Sequence, residues 1–487
     1  MVGGALSWIA ALLGIVVLAA GLRAFAPAAV KPMLLGISIV FYWQVSDGNA
    51  LPLAVVFGAH AMALLLCARR PASVILAVAI NLAPLAYLKI AQGNEIPIGL
   101  SFLTFLQISA LLDIRSGAER LKTLDLVLYA LFFGTVTAGP ITRYNTLAPQ
   151  IARLGYAKVE WGTILRGGAL AVFGLCKISI IGQPIQQAID PILASVYSGV
   201  DLTSVEAAYV FFGGFLALYF LFSGYSDIAV GTGLMLGLRL ALNFNSPFKA
   251  TNPSDFIDRW HMSLTLWVKT YVFDPVVRFF RRQKRWSVER RSIFGWAAGS
   301  FLSLLSIGAW HSVEPAFLLS GAVGGVLVVA IGLRQASPRA RAPLPKPVAR
   351  ALLIAVTLVM TMIYQLPDLS DVAGLMSTMI DPARFQVGER TAGWLPAGLG
   401  QSLPRGAMMP TLTGGAVLPL AWLVGAWGIA LFAPNSNQIF GLIEARETRW
   451  WHWRPNALWG LGLGLAGAAA VGMLLVVRVD GVGYDGF

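Results

Sequence analysis

Apolar runs of membrane-spanning length recur from one end of this chain to the other, separated by short polar or basic turns. A hydrocarbon core of ~30 Å requires about twenty apolar residues in helical form. On that rule the runs 5–22, 33–45, 51–68, 72–90, 123–138, 205–222, 293–310, 316–333, 351–364, 414–433 and 457–477 are expected as helical spans, several of them short. The Gly-interrupted segments 95–112 and 164–182 are expected as broken or re-entrant helices, whose freed backbone groups must find partners within protein. The pattern predicts an all-α polytopic membrane protein with about ten to thirteen helices in or near the bilayer. The first run has no Lys or Arg before it and reads as a retained helix rather than a cleaved signal. The two halves show no repeat, parallel or inverted, and no linker separates them, so residues 1–487 are expected as one integral domain.

The periodicity changes between 243 and 291. TNPSDFIDRWHMSLTLW reads as one helix with Asn252 as N-cap, Pro253 at the first helical position and Asp255 at the third. On one continuous helix Asp258, His261 and Thr265 share a face, beside an apolar face of Trp260, Leu264 and Trp267. Just upstream, Ser223, Tyr225, Ser226 and Asp227 interrupt the end of a hydrophobic span. A carboxylate there is expensive, so Asp227 is expected either to face a water-filled cavity or to pair with a basic group.

Composition agrees: 57% of residues are hydrophobic and 12% charged. The net charge of +13 matters through its distribution. RRQKRWSVERR at 281–291 and the Pro- and Arg-rich connection 334–350 are short basic loops, which the positive-inside rule keeps in the cytoplasm. Two spans lie between them, so the turn at residue 311 is expected to approach from the opposite side, with 365–413 also outside. RETRWWHWR belongs to the headgroup layer, and the charges leave the topology of 139–204 open. No aromatic stacking platform accompanies the basic residues, which argues against nucleic acid. The two cysteines, Cys67 and Cys176, lie in apolar segments and form no disulfide framework, and no metal-ligand spacing occurs.

Four histidines remain as the lead to chemistry. His60 sits within an apolar span and His452 in an interfacial aromatic belt, whereas His261 (RWHMSL) and His311 (GAWHSVE) stand in polar interruptions. Neutral imidazole accepts a proton near pH 7 without prior displacement of its pKa, which suits it as a base.

The run FSGYSDIAVGTGLMLGLRLALNFNSPFKATNPSDFIDRWHMSLTLWVKTYVFDP, followed fifty residues after His261 by GAWH, resembles the membrane-bound O-acyltransferase family, in its bacterial alginate O-acetylase branch. PIGLSFLTFLQISALLDI (97–114), TAGPITRY (137–144) and APNSNQIF (433–440) extend the resemblance over about 95–440. It implies a ring of helices around a central tunnel, with His311 as the catalytic base and His261 as a second histidine that polarises the carbonyl or positions the donor. Substrate-binding or tunnel candidates are Asp227, Tyr225, Ser226, Asn245, Asp258, Arg259, Trp260 and Trp310. The implied donor is acetyl coenzyme A or another acyl thioester, as co-substrate rather than bound cofactor. The implied partners are a periplasmic acyltransferase and an exported polysaccharide, across a bacterial inner membrane. The chain departs from the family pattern after His311, with HSVEPAFLLSGAVGG, and at its GYDGF end, which bears on acceptor or partner more than on the reaction. D-alanyl transfer to teichoic acid, acyl transfer to peptidoglycan, cellulose or lipid, and a proton-coupled transporter are the rival readings; the missing repeat argues against the last.

Overall fold

The computed structural model describes residues 2–46, 48–49, 51–69, 74–92, 99–336, 344–363, 365–366, 368–385, 419–443 and 451–476. Every regular element among them is helical. In chain order these are α1 (Val2–Phe25), α2 (Val30–Val45), α3 (Leu51–Arg69), α4 (Val74–Gln92), α5 (Leu100–Arg115), α6 (Thr123–Leu131) and α7 (Tyr144–Ala152). Then come α8 (Trp161–Cys176), α9 (Gln183–Tyr197), α10 (Ser204–Met235), α11 (Pro253–Ile257), α12 (Met262–Val268), α13 (Asp274–Arg281) and α14 (Val288–His311). The last six are α15 (Pro315–Ala336), α16 (Lys346–Met362), α17 (Leu369–Ile380), α18 (Pro419–Phe432), α19 (Ser436–Ile439) and α20 (Ala457–Val476). Among the described residues seven helices are long and apolar enough to cross a bilayer, and four more are apolar but shorter. Apolar side chains such as Val17, Ile75, Val326 and Leu458 point outward, as lipid contact requires. Parts of the sequence reading lie outside the described residues: 337–343 of the basic connection, 386–413 with Glu389, 414–418 of an expected span, 446–450 of the aromatic belt, and the Cys67 side chain.

Helix α10 is the axis of the packing. Of its apolar window 72% is buried, against 11% for α20. Thr203 opens it with a capping box, its hydroxyl accepting from the Glu206 N–H while the Glu206 carboxylate accepts from the Thr203 N–H. Helix α8 lies against it at backbone distance: a Cβ on Gly174 would stand 2.5 Å from the Gly224 carbonyl oxygen. Small residues permit that approach, and dispersion and weak polar contacts gain from it where lipid offers no hydrophobic drive.

Two expected boundaries are corrected. Residues 164–182 form no broken or re-entrant element: α8 and α9 run as one helix from Trp161 to Tyr197, joined by a π-helical turn at Lys177–Gly182. Conversely, 123–138 is no span, because α6 ends at Leu131 and the chain turns at 132–139.

The stretch 236–287 forms no span-length apolar helix; its parts around 240–250 and 261–268 are largely buried, whereas 281–287 is mostly exposed. Asn252 does cap α11, accepting from the Asp255 N–H at 2.9 Å with Pro253 in the first turn. The single helix expected over 252–267 breaks after Ile257, however, and resumes at Met262. At the break His261 adopts φ +42°, a left-handed conformation rare for a residue with a Cβ. The Met262 N–H is drawn to the Asn243 carbonyl at 2.8 Å. Asp258, His261 and Thr265 therefore share no helical face. Trp260 stacks on Phe256 and packs against Phe215 and Phe244, whereas Trp267 lies on Phe105 in a different cluster.

If the α8–α10 contact carries the fold, Gly174→Val should lower stability by about 3 kcal/mol, since backbone rather than a flexible side chain occupies the space. Gly162→Ala, with no atom within 4 Å of the added Cβ, should change stability by less than ~0.5 kcal/mol. Unfolding in detergent, monitored thermally for both variants, checks the contrast.

Candidate active site

His261 and His311 come from elements far apart in the chain and meet around one tryptophan. His311 is the last residue of α14, and Trp310 precedes it. The Trp310 ring centroid lies 4.5 Å from that of His311 and 6.1 Å from that of His261. Phe102 and Phe105 of α5 wall Trp310 on another side, at 6.1 and 5.8 Å, and Phe317 of α15 lies 6.5 Å from the His311 ring. Phe222 of α10 meets His261 edge to face at 4.8 Å.

Asn243 organises the His261 side. Its amide Nδ2 donates to Ser226 Oγ at 2.9 Å, which leaves Oδ1 to accept from Ser263 Oγ at 2.6 Å and from His261 Nδ1 at 3.3 Å. The proton of neutral His261 then sits on Nδ1, and Nε2 carries the lone pair. Burial, and after it the neighbouring His311, push the His261 imidazole down to about 3, so it is neutral at physiological pH. Ser263 Oγ also accepts from the Ile141 N–H at 2.9 Å, and Thr142 Oγ1 accepts from the Ala241 N–H, so the TAGPITRY segment clamps the strained loop.

Two buried atoms at this junction have no hydrogen-bond partner among the described residues: His261 Nε2, an acceptor, and Trp310 Nε1, a donor. Native interiors satisfy nearly all buried polar atoms, so one left over calls for an explanation in strain, chemistry or a bound water or ligand. A neutral His261 with Nε2 unprotonated accepts a hydrogen bond there rather than donating one. Trp310 Nε1–H is the group here with a free donor.

The α14 end is held from elsewhere. Lys89, in the last turn of α4, donates to the carbonyl oxygens of Trp310 and of His311, the latter at 2.9 Å. Nothing in the pattern around Lys89 singles it out in the sequence beyond its charge inside an apolar run.

The remaining candidates fall elsewhere. Asp227 has a partner the sequence did not name: Lys177 Nζ lies 2.7 Å from Asp227 Oδ2 and 2.9 Å from Ser436 Oγ, which itself donates to Asp227 Oδ1 at 2.9 Å. Lys177 and Ser436 border a cavity of about 310 Å³ that Tyr219, Ser246 and Asn435 also line. Asp227 thus pairs with a basic group, and that pair stands at the edge of a cavity. Tyr225 shares a hydrogen bond with Thr137 at 2.7 Å, and Asn245 Oδ1 accepts from Asn435 at 3.1 Å. Ser226 belongs to the Asn243 network. Arg259 pairs with Asp255 at 2.6 Å rather than with Asp258, which is exposed; these two and Trp260 do not join the histidines. His60 is buried against Asn81 at 3.0 Å. Among the described residues no group of His, Cys, Asp and Glu could hold a metal.

Comparison with known proteins bears on this geometry. Residues 39–365 match the membrane-bound O-acyltransferase family. The chain is 32% identical over 234 residues to the teichoic acid D-alanyltransferase of Bacillus subtilis, covering 47% of this chain and 58% of that protein. It is 29% identical over 259 residues to a protein of Pseudomonas aeruginosa named "Probable alginate O-acetylase", covering 51% and 45%. It is 30% identical over 203 residues to the peptidoglycan O-acetyltransferase of Helicobacter pylori, covering 42% and 36%. The matches span about half the length of these curated relatives.

Lys177→Met, which leaves Asp227 buried and unpaired, should destabilise the protein by about 3–5 kcal/mol, whereas joint replacement with Asp227→Leu should recover much of that loss. Unfolding of the single and double variants in the same detergent measures it; equal losses in both would show that the pair is not the unit that matters.

Proposed function

Because the chain belongs to the membrane-bound O-acyltransferase family, we propose that it moves a short acyl group, acetyl, from a cytoplasmic thioester to a hydroxyl destined for an exported polysaccharide. The single observation that carries this reading is the buried junction of His261, Trp310 and His311 with one acceptor and one donor left unsatisfied. Acyl transfer to oxygen needs a base to take the hydroxyl proton as the oxygen attacks, because a neutral alcohol is a poor nucleophile. It needs a donor aimed at the carbonyl oxygen as negative charge develops there. It hardly needs an acid, since a thiol with pKa near 8.5 leaves as thiolate.

In this scheme His311 is the base, Trp310 Nε1–H donates to the oxyanion, and His261 Nε2 accepts a hydrogen bond that orients the substrate. The donor is acetyl coenzyme A or a carrier-bound acetyl thioester, entering from the side of the 281–291 basic loop. That loop and His311 lie at opposite ends of α14, whose 24 residues span roughly 36 Å at ~1.5 Å per residue. A donor from one face and an acceptor from the other therefore have to meet through a tunnel, and the acceptor side is where a soluble acyltransferase would receive the group before it reaches a polysaccharide such as alginate. The membrane is then the bacterial inner membrane.

The relatives carry different acyl groups by name, and one local charge favours acetyl. The Lys89 ammonium lies against the His311 backbone, and a D-alanyl group, itself cationic, would be brought beside a like charge. In a competition between acetyl and D-alanyl thioesters on the purified protein, acetyl should be preferred by roughly tenfold or more, about the effect of 1.4 kcal/mol. A preference for D-alanyl would transfer this chain to the teichoic acid reading.

His311→Ala should reduce transfer by ~10² to 10⁴ while donor binding and folding stay near those of the parent, because a base acts at the chemical step. Quantitative acetyl transfer with folded protein in each sample decides it: parental rates in the variant would remove His311 from the mechanism.

A further inference from the structure

We propose that Lys89 is a positioning residue for His311: buried against the last carbonyls of α14, its ammonium closes the helix end that carries the imidazole and sets the charge beside it. The assignment of His311 as the base rests on the acyl-transfer reading above; the electrostatic effect of Lys89 on that imidazole does not.

His311 occupies an awkward place for a base. It is the last residue of a 24-residue helix, where unsatisfied carbonyls gather the negative end of the helix dipole. That end favours a positively charged imidazole, the form that cannot accept a proton. Lys89 Nζ sits against two of those carbonyls, Trp310 and His311, and is buried, with 8% of its surface exposed. Its charge offsets the dipole at the point where His311 would otherwise feel it, and a second positive charge beside it is disfavoured.

A helix end that needs only hydrogen bonds is served by a glycine turn or a neutral amide. A buried ammonium is far more costly inside a membrane protein, and among the described residues no carboxylate pairs with Lys89. The charge is therefore the feature that hydrogen bonding alone leaves unexplained. Lys89 of α4 donates to the His311 carbonyl, and His261, at the head of α12, lies across the Trp310 ring from the His311 imidazole. Glu314, on the turn into α15, is exposed.

Three variants separate charge from hydrogen bonding. Lys89→Arg keeps the charge, Lys89→Gln keeps donors without charge, and Lys89→Met removes both. The primary readout is the titration of the His311 imidazole by nitrogen-15 histidine NMR on the purified full chain in detergent, with His311 assigned by its loss in His311→Gln. Lys89→Gln should move the His311 midpoint upward by about one pH unit, and Lys89→Arg should leave it near the parent's. In transfer assays the acid limb of the pH–rate profile, where activity falls as the base becomes protonated, should move to higher pH by the same amount in Lys89→Gln. Lys89→Met should lower kcat by roughly tenfold or more per folded molecule with donor KM little changed, since misplacing a base affects the chemical step. If Lys89→Met does not fold, the Gln and Arg pair still decides the question. An unchanged His311 midpoint in Lys89→Gln overturns the proposal even if acyl transfer is demonstrated. A shifted midpoint in a protein that transfers no acyl group from any thioester sustains the role of Lys89 and sinks the acyl-transfer reading instead.

Discussion

A polar atom deep in a membrane protein has no water to return to, so each must find a partner within the chain or remain available to a ligand. That constraint shapes the centre of this molecule. Asn243 spends both ends of its amide on Ser226, Ser263 and His261, and Ser263 passes the connection to the backbone of Ile141. Lys177, Asp227 and Ser436 satisfy one another across three elements. Tyr42, His60 and Gln107 also keep buried polar atoms without a partner among the described residues, but His261 Nε2 and Trp310 Nε1 are both at the junction with His311.

The same constraint explains the irregular backbone before the site. His261 at φ +42° is strained for a residue with a Cβ, a conformation that persists only when its surroundings over-determine it. Here they do so through the Met262 N–H bond to Asn243 and the ring contacts with Phe222 and Trp310. The break turns the imidazole out of the helix face that a regular 252–267 element would have given it. The rigid partner is α10, which supplies Phe222 and Ser226 and is itself fixed against α8 by backbone approach at Gly174 and Gly224.

Much of this was legible in the residues and some was not, for identifiable reasons. The long apolar helices follow from run length, and the Asn252 cap from local chemistry, because both depend on neighbours in sequence. Runs whose ends are set by tertiary contact were misjudged: 123–138 stops at Leu131, and 164–182 stays helical through a π-helical turn despite its glycines. The two histidines stood out by scarcity and the resemblance ranked them, but the break at His261 carries no local signal, since neither Gly nor Asn occupies the left-handed position. Asp258 and Thr265 share a face with His261 only on one continuous helix, and they separate where that helix breaks after Ile257. Lys177 and Lys89 were invisible as functional partners because their contacts lie 50 and more than 220 residues away.

On the proposed function the acyl carbonyl is held at the junction of His261, Trp310 and His311, not in the cavity beside Lys177. A cryo-electron microscopy structure of the protein with an unreactive thioether analogue of the acetyl donor tests this directly. The carbonyl oxygen is expected within hydrogen-bond reach of Trp310 Nε1, with the carbonyl carbon facing the His311 ring. An analogue whose carbonyl lies against Lys177 and Ser436, with the Trp310 and His261 nitrogens still unoccupied, would contradict it.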